Sequence, residues 1–261
     1  MRGSRHLGLD LSILKNFPHT VSGGGGPSLP TNEDVLALSP WLMFDTTNPD
    51  YLATDGTHTT NVSTDGDLIG SMEDLGSSGA YVEQATAANK PRFTDDGSFT
   101  GVFQDGLDDF FYMNGVSIPA GYTILVGIDL TQDTSTQDGM LLYQGTSSWV
   151  GAWNDTTSTA FVSGNFAGSS YSVRINGVAH SLTTRAALRS ALIAAGPCVL
   201  SWSTTGNSAF TIATGARLLN FSTSAHAVGG PIYGYLGMPL LTGADLDLAE
   251  AWVAGKGGFT L

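Results

Sequence analysis

The amino-acid sequence predicts an all-β protein, an antiparallel β-sandwich with two short helices and an extended N-terminal arm. Glycine accounts for 34 of the 261 residues and charged residues for only 13%, a composition that favours short strands joined by tight turns. Apolar and β-branched segments follow one another at the spacing expected of a sandwich. Two capped stretches with helical periodicity interrupt this series of strands.

The first 22 residues are predicted to form an arm. Four apolar residues recur at every second position, Leu7, Leu9, Leu11 and Ile13, which is the period of a half-buried strand. A glycine run and two prolines follow, so residues 23–30 are interpreted as a tether and residues 31–261 as one domain. An alternating apolar strand on a flexible tether can add to the sheet edge of a neighbouring subunit, which makes it a candidate assembly element.

The strands of the body are predicted from apolar runs that end at turn residues. The clearest is Tyr122–Leu130, which is rich in β-branched and apolar residues. The pair Asn176-Gly177 predicts a hairpin turn between Val173–Ile175 and Val178–His180. Further strands are expected at Trp41–Phe44, Phe99–Phe103 and Asp109–Met113, and in the segments that contain Trp149, Phe161, Cys198 and Ile232.

Two helices are predicted within this series of strands. The first is Arg185–Ala195, with Thr183 or Thr184 as its N-cap and a Gly-Pro pair after its last residue. The second is Ala244–Ala254, which follows Thr242 as a candidate N-cap and carries acidic residues in its first turn. Both carry apolar residues four positions apart, so each is expected to bury one face.

Charge and cysteine content exclude several classes of protein. The formal net charge is −13, from 10 basic and 23 acidic residues, whereas a nucleic-acid-binding protein normally shows a basic face. The sequence lacks an apolar run of about 18 residues, so no membrane span is expected. Cys198 is the single cysteine, which excludes an internal disulfide framework. Asp10 and Lys15 interrupt the apolar N-terminal segment, so a signal peptide is not expected either.

Several short motifs together resemble the concanavalin A-like, laminin-G-like jelly-roll family. They occur in the family's order, as Trp41 and Asp45, Asp74 and Gly76, Pro91 and Phe93, and Phe103, Asp105 and Gly106. The C-terminal stretch from Glu250 to Gly258 is similar to the closing helix of these domains. The resemblance covers about residues 36–258 and implies a jelly-roll sandwich.

The resemblance also implies a function. The segment Leu7 to Ser12 is similar to the start of such domains in bacteriophages, which implies a virion structural protein, either a capsid decoration or a tail-associated subunit. Its expected location is the virion, after synthesis in the host cytoplasm, and its expected partners are other virion proteins and copies of itself. Host-surface glycans are a further candidate partner. The alternatives are a carbohydrate-binding adhesion module and, less favoured, a secreted polysaccharide hydrolase.

The sequence does not predict an enzyme. Retaining glycoside hydrolases need two carboxyl groups about 5 Å apart. In jelly rolls these lie on one strand as E-x-D-x-x-E. The four glutamates, Glu33, Glu73, Glu83 and Glu250, do not form that pattern. A G-x-S-x-G nucleophile motif is also missing. We therefore expect a binding or structural protein.

Two candidate binding sites remain in the sequence. Trp149 and Trp153 can share one strand face beside Asn154, with Tyr143 and Tyr171 in the same region, and could form a glycan platform. The alternative is that these aromatic rings fill the core. Asp105, Asp108 and Asp109 could hold Ca²⁺ at a rim, although Asp-Gly sequences also favour turns without an ion. No other cofactor is expected.

Overall fold

The computed structural model describes residues 28–78, 81–113, 115–132, 139–144, 148–154, 156–212, 215–219 and 228–261. The predicted arm residues Leu7, Leu9, Leu11 and Ile13, and the glycine run of the tether, lie outside this part of the chain. The described residues form mainly antiparallel strands, which confirms the prediction of an all-β sandwich. The finer assignment to a jelly roll stays a prediction.

Eighteen strands are present in the described residues. They are β1 (Leu42–Phe44), β2 (Leu52–Ala53), β3 (Ser71–Glu73), β4 (Tyr81–Glu83), β5 (Arg92–Asp95), β6 (Thr100–Asp105), β7 (Phe111–Met113), β8 (Ser117–Ile118), β9 (Tyr122–Ile128), β10 (Leu142–Tyr143), β11 (Trp149–Val150), β12 (Val162–Ser163), β13 (Ser170–Ile175), β14 (Val178–His180), β15 (Cys198–Thr205), β16 (Phe210–Thr211), β17 (Ala216–Leu218) and β18 (Gly229–Pro239). Strands β8 and β16 form a separate two-stranded sheet.

The other strands build two eight-stranded sheets. The first sheet has the order β14-β13-β15-β9-β18-β6-β5, and the second has the order β12-β11-β10-β17-β7-β4-β3-β2. Strand β18 is long enough to pair with two partners along one edge, β6 beside Gly229–Ile232 and β1 beside Tyr235–Gly237. Its other edge pairs with β9, so β9 and β18 lie at the centre of the first sheet.

Helices pack against strands of the first sheet. The described residues contain α1 (Asn32–Leu36), α2 (Arg185–Ala195) and α3 (Gly243–Lys256), together with four short 3-10 helices at Pro49–Tyr51, Ala87–Asn89, Leu130–Gln132 and Gly164–Phe166. The two predicted helices are confirmed, and Thr184 caps α2 by accepting a hydrogen bond from the Ala187 N–H at 3.1 Å. Helix α1 was not expected. None of the helices in the described ranges is long and apolar enough to span a membrane.

The centre of the first sheet is buried on both faces, which explains why β9 is apolar at nearly every position. Ile124, Val126 and Ile128 face the main core between the two sheets. Leu125, between them, belongs to a second apolar cluster under α3, together with Trp252. Since neighbouring strand residues point to opposite faces, a strand covered by a sheet on one side and a helix on the other needs apolar residues throughout.

Candidate functional site

A row of opposed side chains crosses the second sheet. The cross-strand partners, from β12 to β3, are Ser163, Trp149, Tyr143, Arg217, Tyr112, Glu83 and Ser71. Directly opposed residues of antiparallel strands share a face. Their sequence neighbours, such as Val150, Leu142, Leu218 and Phe111, lie in the main core. The row therefore lies on the opposite, outward face, and we call these seven residues the outer row.

Arg217 lies at the middle of the outer row and stacks on aromatic rings. Its guanidinium carbon is 4.3 Å from the centre of the Phe110 ring and 5.4 Å from that of Tyr112. These two rings meet edge to face, with their centres 4.8 Å apart. Within the described residues Arg217 forms no ion pair, and one of its terminal nitrogens, Nη1, is buried without a hydrogen-bond partner. The cation is thus held by ring faces and not by a carboxylate.

Trp149 lies next to Ser163, near one end of the row. It is half-buried and packs against a small cluster made of Met140, Tyr143 and Ala152. The Arg185 guanidinium lies 5.9 Å from the centre of the Trp149 ring and donates a hydrogen bond to the Ala160 carbonyl at 2.6 Å. Burial raises the pKa of Tyr143, an effect that the nearby Arg217 cation opposes. Aromatic rings therefore lie beside two guanidinium groups in this part of the row.

The other end of the row is acidic. Ser71 is opposed by Glu83, and Glu73 lies two positions from Ser71 on the same strand. His58 Nδ1 is 3.1 Å from Ser71 Oγ, and His58 Nε2 is 3.7 Å from a Glu73 carboxylate oxygen. Ser71 Oγ donates to the Asp55 carbonyl at 2.7 Å, so the hydrogen shared with His58 must come from the histidine. The serine is therefore not activated as a nucleophile in this arrangement.

Two of the four glutamates thus reach one sheet face from different strands. The pairing register places Glu83 on β4 opposite Ser71 on β3, and Glu73 is its diagonal neighbour. A search along a single strand does not detect such a pair. Glu250 is fully buried beside Ser201 and Arg174. The absence of enzymatic activity stays a prediction.

The structure corrects the expected glycan platform of Trp149, Trp153 and Asn154. Trp153 is only 1% exposed and belongs to the main core, whereas Trp149 packs on the outward side. Gly151, between them, has φ of 68°, a left-handed conformation that interrupts strand alternation. The expectation that both tryptophans share a face is wrong for this reason. Asn154 is buried, and its Oδ1 accepts hydrogen bonds from the N–H and hydroxyl of Thr156 at 2.9 and 2.6 Å.

The predicted metal ligands Asp105, Asp108 and Asp109 do lie together, each offering a carboxylate oxygen within 4.8 Å of the others. The same loop uses two of these groups internally. Asp105 Oδ1 accepts from the Leu107 N–H at 2.8 Å, and Asp109 Oδ2 accepts from the Asp105 N–H at 2.8 Å. Burial and the two neighbouring carboxylates raise the pKa of Asp109 to about 7. These bonds are also those of a tight turn, so calcium binding stays a prediction.

Sequence reasoning identified Trp149 and Tyr143 in the outer row but missed Arg217, Tyr112 and Glu83. A usable signal exists, because Arg217 and Tyr112 each stand as the one polar or amphipathic residue between two apolar ones in a three-residue strand. Such strands are too short for periodicity to stand out. Comparisons of this chain with models of known protein families, with curated proteins and with solved structures find no match.

Proposed function

We propose that this protein is a non-enzymatic structural subunit of a bacteriophage virion whose body contacts glycans of the host surface. The proposed glycan contact is based on one observation, the outer row on the second sheet. Aromatic rings offer apolar faces to the C–H groups of a sugar, and neighbouring polar groups orient its hydroxyls. Trp149, Tyr112 and Arg217 are half-buried, so each keeps part of its surface open to solvent.

A sheet face suits this role because its geometry is rigid. Each residue of the outer row stands on a strand that is hydrogen-bonded to its neighbours, and the opposite side of each strand is fixed in the main core. Side chains held in this way lose little freedom when a ligand binds, so less binding free energy is spent on ordering them. An extended polysaccharide chain could lie along the row across several strands.

Assignment to a virion is supported by the N-terminal sequence. The arm, with Leu7, Leu9, Leu11 and Ile13, has the pattern of a strand that can complete another subunit's sheet. It is also more basic than the rest of this acidic chain, since Arg2, Arg5 and Lys15 accompany a single acid, Asp10. The second candidate function, a carbohydrate-binding adhesion module outside a particle, would use the same outer row without needing the arm.

Binding to surface polysaccharide from the bacterium that the particle infects tests the glycan contact. We expect Trp149→Ala to weaken binding by roughly tenfold or more, because an aromatic platform is removed. The matched control is Tyr171→Ala, which removes an aromatic side chain that is 42% exposed on the first sheet. Equal affinities of the wild type and the Trp149 variant, measured by calorimetry, would contradict the proposal.

A further inference from the structure

Arg217 is placed to receive a negatively charged group. It lies between Tyr143 and Tyr112 in the outer row, and the described residues place no carboxylate within ion-pair distance of it. Three other cations in the described part of the chain have polar partners. Arg174 pairs with Asp247 and Glu250, Lys256 pairs with Asp45, and Lys90 donates to the Thr54 carbonyl.

The stacking on Phe110 and Tyr112 fixes how the guanidinium can act. The Phe110 ring centre lies 4.3 Å from the guanidinium carbon, so this aromatic contact restricts how the guanidinium plane can move. The N–H donors lie in that plane and point outward from its rim. A planar fork of this kind matches a carboxylate or a sulfate oxygen pair, whereas sugar hydroxyls need no such fork. Nη1 is buried without a partner, so a ligand arriving from solvent would use the other N–H donors of this side chain.

The charge distribution along the row sets the orientation in which an acidic ligand can bind. Arg217 lies at the middle of the row, whereas Glu83 and Glu73 lie at one end. A negative group is attracted at Arg217 and repelled at the acidic end. Because the whole chain carries a net charge of −13, long-range attraction cannot recruit an acidic ligand, and recognition must come from this local site.

We infer that the glycan recognised by the outer row is acidic, and that its carboxylate or sulfate group binds to Arg217. This inference rests on the proposed function and adds the chemical class of the ligand. The sugar ring that carries the charge packs on the Trp149 side of Arg217, and neutral parts of the chain extend toward Tyr112 and Glu83.

Two matched pairs of oligosaccharides test the inference. One pair is a galacturonan oligomer and its methyl ester, and the other is a sulfated galactan oligomer and its desulfated form. We expect the full-length wild type to bind at least one acidic member and to bind its neutral counterpart roughly 10- to 100-fold more weakly, the range of a charge-assisted hydrogen-bonded pair. The pair that shows this preference distinguishes carboxylate from sulfate.

Variants assign the preference to Arg217. Arg217→Gln should abolish it, and Arg217→Lys, which keeps the charge but loses the planar fork, should give an intermediate ratio. The control is Arg92→Gln, because Arg92 also stacks on an aromatic ring, 4.4 Å from the centre of Phe103, but on the first sheet. If Arg217→Gln fails to fold by circular dichroism, the ratio measured for Arg217→Lys decides.

The outcomes separate this inference from the proposed function. Equal binding of acidic and neutral members, or a preference that survives in Arg217→Gln, overturns the acidic-ligand inference and leaves glycan binding intact. A lack of binding to every member also overturns the inference. The proposed function is then judged by the host-polysaccharide assay, in which Trp149→Ala is the reporter.

Discussion

At the scale of single residues, Glu250 ties α3 to the first sheet. It is fully buried, its Oε1 accepts a hydrogen bond from Ser201 Oγ at 2.6 Å, and its Oε2 lies 3.0 Å from an Arg174 nitrogen. The same Arg174 nitrogen is 2.7 Å from Asp247, and Arg174 Nε donates to the Gly177 carbonyl at 2.9 Å. Burial raises the pKa of Glu250, and Ser201 and Arg174 partly oppose that rise. One ion-pair network thus joins the C-terminal helix to the β13–β14 hairpin.

Arg174→Ala is expected to destabilise the protein by about 3–5 kcal/mol, because it leaves the Glu250 carboxylate buried without its counter-charge. The free energy of unfolding in urea measures this change. Arg92→Ala is the control, since it removes a surface arginine stacked on a ring and should cost less than about 1 kcal/mol. A cost below about 0.5 kcal/mol for Arg174→Ala, within the range of ordinary surface substitutions, would show that the network does not hold α3 in place.

Asp109 makes the stability of the protein depend on pH. Its pKa is raised from 3.8 to about 7 in the folded state. Between these two pH values the carboxyl group is mostly protonated in the folded protein and mostly ionised in the unfolded chain. The free energy of unfolding should therefore fall as pH rises between about 4 and 7. Asp109→Asn removes the ionisation and keeps an oxygen that can accept from the Asp105 N–H. We expect this variant to gain stability relative to the wild type on going from pH 4.5 to pH 8.

Urea unfolding at the two pH values measures that gain. The same stability difference at pH 4.5 and pH 8 would show that Asp109 ionises freely in the folded protein. The predicted calcium site can be tested in the same series, because an ion bound among Asp105, Asp108 and Asp109 would offset their mutual repulsion. Calcium should then raise the unfolding temperature of the wild type at pH 8 and not that of Asp109→Asn.

At the scale of elements, the C-terminal part of β18 depends on a glycine. A Cβ atom at Gly237 would lie 2.4 Å from the Trp41 ring, and Gly237 pairs with both β1 and β9. Gly237→Ala must therefore push the ring or the central strand aside, at an expected cost of about 1–3 kcal/mol in the free energy of unfolding. Gly56→Ala is the control, because the nearest atom to the added Cβ, a Glu83 carboxylate oxygen, would be 3.8 Å away. Its free energy of unfolding should stay within about 0.5 kcal/mol of the wild-type value.

Thermal and urea unfolding of both glycine variants would test this packing. Equal stability of Gly237→Ala and Gly56→Ala would contradict the close approach of the Trp41 ring to β18.

Elements with strong local signals could be predicted from the sequence. Asn176 and Gly177 have φ of 48° and 76°, as the two-residue hairpin turn requires, and α2 begins and ends where its cap and Gly-Pro signals indicate. Helix α1 has a complete capping box between Thr31 and Asp34. It is only five residues long, too short to show helical periodicity, and for that reason the sequence pattern did not predict it.

The outer row could not be predicted because it depends on pairing between distant segments. Arg217 lies opposite Tyr112 and Tyr143, which come from separate parts of the chain, and their strands have only two or three residues. Register between such short strands is set by packing in the core and not by local sequence. The prediction for Trp153 was wrong for a local reason. A single left-handed residue, Gly151, interrupts the alternation of faces, so Trp153 lies on the opposite face from the one its spacing from Trp149 predicts.

At the scale of the whole molecule, the arm and the body are expected to act separately. Deletion of residues 1–22 should leave the body folded, with an unchanged unfolding temperature and unchanged glycan binding. The truncated protein should no longer join the particle, because the apolar strand that would pair with a neighbouring subunit is lost. Incorporation is measured by comparing the two proteins in particles purified after a salt wash.

A milder variant controls for the length of the deletion. Leu9→Asp and Leu11→Asp together keep the length of the arm but place charges on its apolar side, so incorporation should fall as in the deletion. Incorporation of the truncated protein at the wild-type level would exclude the arm as the anchor, and would favour the adhesion module that works outside a particle.

The glycan contact through the outer row is tested most directly by hydroxyl-radical footprinting with host-surface polysaccharide. Trp149 and Tyr112 are half-buried in the outer row, and Tyr171, 42% exposed on the first sheet, is an internal control. All three side chains react readily with the radical when solvent reaches them. Saturating polysaccharide should protect Trp149 and Tyr112 from oxidation and leave Tyr171 unchanged. Protection of Tyr171 alone, or no protection of Trp149 and Tyr112 under conditions in which the polysaccharide binds, would contradict the assignment of this face.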